Sequence, residues 1–131
     1  KQLNLPVKVF VFNNEELSFI AMEMKASGYL DYATDFVNPD FGKLAEAAGI
    51  KGVSIQNSSE VDEKIMEALN HNGPVIVNVR VDKQELAMPP KIAYQQAKGF
   101  SKYLINAILD GRGTELKEMA KTNWMKYKSL F

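Results

Sequence analysis

Three short segments of the chain are rich in β-branched and aromatic residues and are bounded by polar or turn-forming residues. They are 7–12 (VKVFVF), 52–55 (GVSI) and 75–81 (VIVNVRV). Within these segments, apolar residues follow one another without the strict alternation of a half-buried strand. This composition is typical of strands that are buried on both faces of a parallel sheet.

Between and beyond these strands, apolar residues recur three and four positions apart, which is the spacing of one face of a helix. The pattern predicts five helices. The first follows the first strand, the second begins at Asn38-Pro39, and the third follows a capping box at 59–62. The fourth spans 95–109, and the fifth runs from a cap at Thr114 to the end of the sequence. The residues predicted to form the apolar faces of the first four are Leu17, Ile20 and Met24; Phe41, Leu44, Ala45 and Ala48; Val61, Ile65, Ala68 and Leu69; and Ala97, Phe100, Leu104 and Ile108.

The order of these elements is strand, helix, strand, helix, strand, followed by two helices. Alternation of this kind is characteristic of a parallel sheet whose connections cross over with a right-handed turn. We therefore expect an α/β fold of three layers, with a parallel sheet between helices. An antiparallel pair among the three strands would contradict this prediction.

Composition narrows the classes of protein that need to be considered. The chain has 131 residues, about the size of one domain, and its 16 basic residues balance its 16 acidic ones, so no overall charge favours nucleic acid. It has no cysteine, which excludes disulfides and thiolate metal sites. No apolar run approaches the roughly 20 residues that span a bilayer. We expect a cytoplasmic protein.

The candidate chemistry lies where the first strand ends, at Asn13 and Asn14. Open α/β sheets bind ligands at the carboxyl ends of their strands. The amide oxygen of asparagine is a hard, neutral ligand that suits Mg²⁺ or Ca²⁺. Asparagine is also a common turn residue and helix cap, so the pair by itself equally fits a turn in which Asn14 caps the next helix.

The residues around this pair resemble a known family. The segments VFVFNN and LSFIAMEM resemble the second half of the thiamine diphosphate motif, which begins with Gly-Asp-Gly and ends with Asn-Asn, in a form similar to that of the pyruvate oxidases and pyruvate:quinone oxidoreductases. The resemblance continues through NPDFGKLAEAAGIKG, GPVIVNVRVDKQELAMPPKI and QAKGFSKYLINAILDGRGTELKEMAKTNW. It implies the thiamine-diphosphate-binding fold, with the third strand between the other two.

The resemblance also implies a division of the chain. No Gly-Asp-Gly precedes Asn13, so the chain is expected to be the C-terminal piece of a longer subunit. Residues 1–92 correspond to the C-terminal part of the pyrophosphate-binding domain, and residues 93–131 to its helical tail.

For the cofactor, the resemblance implies binding residues at the start of the first helix. Asn13, Asn14 and Glu16 are expected to lie at the cofactor. Mg²⁺ would take the side chain of Asn14 and the main-chain carbonyl of Glu16, together with an aspartate that this chain does not contain.

The first helix is expected to contribute catalytic residues. The resemblance places Phe19 near the thiazolium ring, Ile20 against the substrate and Glu23 near the reacting carbons. From the residues alone, Phe19 and Ile20 also fit ordinary core packing, and Glu23 also fits a solvated helix face. Ser18 stands where the family usually has glycine, so the backbone conformation at this position is expected to depart from that of the family.

The implied reaction is the oxidative decarboxylation of pyruvate to acetate or acetyl phosphate, with thiamine diphosphate, Mg²⁺ and FAD as cofactors and oxygen or a quinone as electron acceptor. The flavin and the glutamate that activates the cofactor would come from domains absent here, so the piece alone is expected to be inactive. The parent enzyme is expected to be a homotetramer. Two alternatives stay open: a carboligase like acetolactate synthase, and a free-standing module that binds a membrane or a partner.

The last helix, 114–131, has a feature of its own. Its apolar stripe is Leu116, Met119, Ala120, Trp124, Tyr127 and Phe131. Four lysines outnumber two glutamates in this segment, and a basic amphipathic helix with tryptophan fits a membrane interface. The same stripe also fits a terminal helix that packs on its own protein, so peripheral membrane contact and packing both remain candidates.

Overall fold

A computed structural model describes residues 2–83 and 94–128, with side chains described as far as Trp124. The strands are β1 (Lys8–Asn13), β2 (Lys51–Ile55) and β3 (Val75–Arg80). The helices are α1 (Ser18–Ala26), α2 (Phe41–Ala47), α3 (Val61–Asn70), α4 (Tyr94–Leu109) and α5 (Gly113–Lys128), and a single 3₁₀ turn, Ser58–Glu60, precedes α3.

The chain divides into two compact units. The first, which we call the sheet unit, comprises Lys1–Asn14 and Val37–Val81 and contains the three strands with α2 and α3. The second, the helical unit, comprises Glu15–Phe36 and Asp82–Phe131 and contains α1, α4 and α5.

The sheet unit has the predicted topology. Its strands lie in the order β1-β3-β2, and both neighbouring pairs are parallel. The register aligns Lys8 of β1 and Lys51 of β2 with Val75 of β3. The prediction of a three-stranded parallel sheet with the third strand in the middle is therefore confirmed, and β1 is displaced from its predicted bounds by one residue.

Helices cover this sheet on both faces. On one face, Val53 and Val77 form a buried core with Ala68 of α3, together with Ile55 and Val75. On the other face, α2 approaches β2 so closely that a Cβ atom on Gly52 would collide with the carbonyl oxygen of Gly42. The three-layer arrangement is confirmed within the sheet unit.

The start and the buried face of α2 differ from the prediction. The cap is Asp40, whose Oδ1 accepts hydrogen bonds from the backbone N–H groups of Gly42 (2.8 Å) and Lys43 (3.2 Å). The prediction that this helix begins at Asn38-Pro39 was therefore wrong, and Asn38 does not cap it. The buried residues are Gly42 and Ala45, whereas Leu44 is exposed, because only small residues fit where the helix backbone meets the strand.

The start of α3 also differs. The capping box pairs Asn57 with Glu60 rather than residues 59 and 62, and a 3₁₀ turn separates it from the α-helix. Glu60 Oε2 accepts hydrogen bonds from the N–H groups of Gln56 (3.1 Å) and Asn57 (3.3 Å) and from Lys64 Nζ (3.1 Å). These bonds, led by the one from Gln56, lower the pKa of Glu60 to about 2.

The helical unit has a core on α4 and α5. Tyr103, Ala107 and Met119 are buried and pack with Leu30, Phe100, Leu104 and Leu116. The prediction for α4 was wrong at its ends, since Ala97 and Ile108 are exposed. The buried face is centred instead on Gly99, Tyr103 and Ala107, because α1 approaches Gly99 so closely that a Cβ there would meet the carbonyl of Ala26.

The last helix begins at Gly113, so Thr114 lies within its first turn and the prediction of a Thr114 cap was wrong. Leu116 and Met119 pack on the helical core, and Trp124 is 71% exposed. The side chains of Tyr127 and Phe131 lie outside the described residues, as does the segment 84–93. Among the residues that the structure describes, no helix is both long and apolar enough to cross a membrane.

Candidate cofactor and metal site

Asn13 closes β1 with its side chain in the interior of the sheet unit. It is 5% exposed. Its Nδ2 donates to Oδ1 of Asn78 on β3 (3.2 Å), and its Oδ1 accepts from Nδ2 of Asn38 (2.9 Å). Its main-chain carbonyl accepts from the N–H of Val81 (3.1 Å). Both ends of the Asn13 amide are thus engaged by protein.

Asn14 directly follows the strand and is half-buried. The next residue, Glu15, has φ of 56°, a left-handed conformation that is uncommon for residues other than glycine. For a residue with a Cβ atom this conformation costs about 1 kcal/mol, and such residues concentrate at functional sites. This uncommon conformation lies at the residue between Asn14 and Glu16, whose oxygens are predicted to bind magnesium.

The backbone after this turn is fixed within the helical unit. The N–H of Phe36 donates to the carbonyl of Glu15 (3.1 Å), and the N–H of Leu17 donates to the carbonyl of Thr34 (2.8 Å). Between these bonds, Glu16 forms an antiparallel bridge with Asp35. The predicted ligand residue Glu16 is therefore held by two flanking hydrogen bonds.

The carboxylate of Glu16 is partly buried, and burial raises its pKa. The positive charges of Lys25 and Lys83 oppose this shift, and the negative charges of Asp35 and Asp31 add to it. Lys83 itself is paired with Asp35 at 2.7 Å. The main-chain oxygen of Glu16, which is the predicted metal ligand, does not depend on this titration.

Ser18 is the first residue of α1, and its φ is not positive. Glycine's conformational freedom is therefore not needed at this position, and the serine is compatible with the local backbone. The residue before it, Leu17, contributes no side-chain hydrogen bond to cap the helix.

The three predicted catalytic residues share one exposed side of α1. Phe19 is 72% exposed, Ile20 is 48% exposed and Glu23 is exposed, whereas the buried side of the helix carries Ala21 and Lys25. Phe19 and Glu23 are one helical turn apart and lie on the same side. Within the described part of the chain, Phe19 is therefore mostly outside the core and Ile20 is about half-buried.

The predicted site residues divide between the two units. Asn13 and Asn14 end the first segment of the sheet unit, and Glu16, Phe19, Ile20 and Glu23 belong to the helical unit. The chemistry of the metal donors fits magnesium, since a side-chain amide and a main-chain carbonyl are neutral oxygen ligands. Nowhere in the described part of the chain do three His, Cys, Asp or Glu side chains converge to form another metal site.

Sequence reasoning missed the two partners of Asn13. Asn78 is the one amide in a strand whose other residues are aliphatic apart from the terminal Arg80, and it is only 3% exposed. Asn38 precedes a proline and an aspartate that can cap a helix without it. Both signals were present in the sequence. A polar residue inside a buried strand, such as Asn78, needs a hydrogen-bond partner. Because Asp40 can cap the helix, Asn38 is available for other contacts.

A cluster of charged residues in the helical unit was also missed. Lys25 is 4% exposed, and its Nζ lies 3.8 Å from Glu115 Oε1 and 5.6 Å from the centre of the Tyr103 ring. Arg112 lies 3.1 Å from Asp31 and 3.9 Å from Glu115. Burial raises the pKa of Tyr103, which keeps its hydroxyl protonated. This cluster links the last turn of α1 to the start of α5.

The chain matches one protein-family model. The family is described as "Thiamine pyrophosphate enzyme, C-terminal TPP binding domain", and the match covers residues 1–79. It therefore includes β1, β2, β3 as far as Val79, and the Asn13-Asn14 pair.

Individual relatives have names of the same kind. The chain is 36% identical over 118 residues to "Putative thiamine pyrophosphate-containing protein YdaP" of Bacillus subtilis. This match covers 90% of this chain and 20% of that protein. It is 38% identical over 89 residues to the mitochondrial acetolactate synthase catalytic subunit of Saccharomyces cerevisiae, covering 67% of this chain and 13% of that protein. It is 30% identical over 91 residues to the large subunit of Escherichia coli acetolactate synthase isozyme 2, covering 68% of this chain and 17% of that protein. The chain thus spans a fifth or less of the length of these relatives.

Proposed function

The chain belongs to the thiamine pyrophosphate enzymes, as a C-terminal cofactor-binding domain, and we propose that its β1–α1 turn forms part of the thiamine diphosphate and Mg²⁺ site of a longer enzyme. The observation that carries the proposal is the family match over residues 1–79, which includes Asn13 and Asn14, and the left-handed conformation of the next residue, Glu15 (φ 56°), is the kind found at functional sites. The parts of the site that this chain does not contain would come from the rest of that enzyme.

Two oxygens of this chain would hold the metal: Oδ1 of Asn14 and the main-chain oxygen of Glu16. Mg²⁺ favours octahedral coordination by oxygen and usually keeps phosphate oxygens and water in its shell. Two neutral donors leave the cation's charge available to neutralise a diphosphate. The start of α1 at Ser18 fits the same arrangement, since the N-terminal end of a helix attracts phosphate.

When bound, thiamine diphosphate supplies the stabilised carbanion that decarboxylation of a 2-oxo acid requires. The chain's own contribution would be the exposed side of α1. There, Phe19 would pack against the cofactor, Ile20 would limit the space for the substrate, and Glu23 would hold or move a proton at its carboxyl group. Their exposure in this chain supports this assignment, because 72% of the Phe19 surface is available for contact with another group.

For the reaction, we favour carboligation of the acetolactate synthase kind, in which two pyruvate molecules and a proton give 2-acetolactate and carbon dioxide. Two of the named relatives with a stated activity are acetolactate synthases, from yeast and from E. coli. The domain would then serve an enzyme that forms a carbon–carbon bond, with no net oxidation.

The second candidate is the oxidation of pyruvate with FAD as a further cofactor and oxygen or a quinone as acceptor. The support for it is the resemblance of the segments MPPKI and QAKGFSKYL to the pyruvate oxidases. The match to YdaP extends over 118 residues, whereas those to the acetolactate synthases named above cover 89 and 91 residues. YdaP thus shares more of this chain than the synthases do, and its name leaves its reaction open.

Assay of the full-length protein that carries this chain separates the two reactions. With pyruvate, thiamine diphosphate and Mg²⁺, the carboligase predicts acetolactate without consumption of an electron acceptor. Reduction of a quinone or formation of peroxide, with acetate or acetyl phosphate and no acetolactate, would establish the oxidoreductase instead. The 131-residue chain alone should show neither activity and no tight cofactor binding in calorimetry.

Contact of α5 with a membrane is a separate proposal. Leu116 and Met119 are occupied by packing on the helical core, but Trp124 is 71% exposed on a helix with several lysines. Tryptophan favours the headgroup region of a bilayer. Trp124→Ala in the full-length protein should reduce co-sedimentation with anionic vesicles, and equal sedimentation of both proteins would exclude this role for Trp124.

A further inference from the structure

Three asparagines connect the β1–α1 turn to the rest of the sheet unit. Asn38 donates to Asn13 (2.9 Å), and Asn13 donates to Asn78 (3.2 Å). Asn13 and Asn78 are 5% and 3% exposed. We call Asn13, Asn38 and Asn78 the amide network. This network, buried at Asn13 and Asn78 and half-buried at Asn38, joins the end of β1, the middle strand β3 and the segment before α2.

Asn38 has no helix-capping function that would explain its presence. Asp40 provides the cap of α2, with two hydrogen bonds to backbone N–H groups. The side chain of Asn38 is instead directed to Asn13, 25 residues earlier in the chain. Its contact is therefore with the residue next to the proposed metal ligand.

We propose that Asn13 and Asn38 are positioning residues, which fix the orientation of the turn that presents Asn14 to the cofactor's metal. This inference rests on the proposed function. Asn13 cannot rotate its amide without breaking a bond at one end or the other, because its Nδ2 donates and its Oδ1 accepts. Its main chain is held as well, by the N–H of Val81. Hydrogen-bonded partners of this kind commonly set the orientation of metal ligands.

A contact elsewhere in the same unit provides a matched control. The hydroxyl of Ser54 on β2 donates to Asp40 Oδ1, and Ser54 lies in register with Asn78 on β3. This contact also joins the sheet to the start of α2, but it does not include Asn13. Ser54→Ala and Asn38→Ala each remove one side-chain hydrogen bond at that helix start, and only the second affects the turn.

The test measures thiamine diphosphate binding by calorimetry at fixed Mg²⁺ in the full-length protein, with hydrogen exchange of the peptide that covers residues 13–17. Asn38→Ala should raise the Kd about 10-fold, the size of effect typical of lost outer-shell partners, and should speed exchange in that peptide. Ser54→Ala should lower the melting temperature and leave both readouts near wild type. Asn38→Asp, which keeps the shape and replaces the donor with an oxygen, provides the same test if the alanine variant does not fold.

Asn14→Ala distinguishes a failure of the proposed metal site from a failure of the positioning role of Asn38. If Asn14→Ala weakens binding while Asn38→Ala does not, the metal site stands and the positioning role is wrong. If Ser54→Ala weakens binding as much as Asn38→Ala, the network only stabilises the fold and the proposal is overturned. If Asn14→Ala leaves the Kd unchanged, the proposed function itself fails.

Discussion

The two units bury polar groups of different kinds. In the sheet unit, the interior polar contacts are made by neutral amides, with Asn13 and Asn78 nearly inaccessible to solvent. In the helical unit, Thr34 is buried, and so is a cation, Lys25, which lies beside Glu115 and the ring of Tyr103. Amide networks do not titrate, whereas charge clusters depend on protonation. The proposed metal donor Asn14 thus follows an amide network whose charge is the same at any working pH.

The units are alike in one respect, which gives the largest predicted effects. Each contains a glycine at which helix backbone meets other backbone. A Cβ on Gly52 would collide with the carbonyl of Gly42, and a Cβ on Gly99 would collide with the carbonyl of Ala26. Gly52→Ala and Gly99→Ala should each lower the free energy of unfolding by about 3 kcal/mol, since backbone cannot move aside as a side chain can.

Gly113→Ala is the matched control. Gly113 begins α5, and a Cβ there would meet nothing within 4 Å. Because alanine favours helix over glycine by up to about 1 kcal/mol, this variant should be neutral or slightly more stable in urea denaturation. A loss at Gly113 equal to that at Gly52 or Gly99 would show that the effect is not steric.

The second prediction concerns the charge cluster of the helical unit. Lys25→Ala should reduce the free energy of unfolding by about 3 kcal/mol, because it empties a buried position against Tyr103. Lys25→Met should lose only about 1 kcal/mol, since it keeps the apolar stem and avoids burying a charge. Lys25 Nζ lies 3.8 Å from Glu115 Oε1, which is long for an ion pair, so we expect packing to contribute more than the ion pair to the stability. Equal losses for the two variants in chemical denaturation would assign the stability to the ion pair instead.

The smallest predicted effects are two opposite responses to pH, one in each unit. Hydrogen bonds lower the pKa of Glu60 from 4.5 to about 2, so its contribution to stability is present above pH 4.5 and is lost as the pH falls towards 2. Glu60→Gln should therefore destabilise the protein at neutral pH, with a difference from wild type that shrinks in acid.

Glu16 is expected to behave in the opposite way. Burial raises its pKa above 4.5, so its ionised form destabilises the fold as the pH rises through the folded-state pKa. Glu16→Gln should stabilise the protein at pH 7 and make no difference below pH 4.5, while retaining the main-chain oxygen proposed as a ligand. Thermal melts of both variants between pH 2 and pH 7 test the pair, and a change of the same sign for both would contradict it.

The sheet unit could be predicted from the sequence, and the helical unit only in part. Strands such as 75–81 are distinct because β-branched residues cluster there and turn residues bound them. Their alternation with helices predicted the parallel direction correctly, whereas their order in the sheet was implied by the family resemblance. The faces of α2 and α4 did not follow, because Gly42 and Gly99 permit close backbone contacts that hydrophobic spacing does not reveal. The partners of Asn13 were hidden for a similar reason: a hydrogen bond between residues 13 and 78 depends on the register of two strands.

The proposed function depends above all on the binding of the cofactor's metal ion by the turn after β1. The most direct test is a structure of the full-length protein with thiamine diphosphate and Mg²⁺. The account predicts that Asn14 Oδ1 and the main-chain oxygen of Glu16 both lie about 2.0–2.1 Å from the ion, the distance of magnesium–oxygen ligands. A bound ion whose ligands include neither oxygen would contradict it.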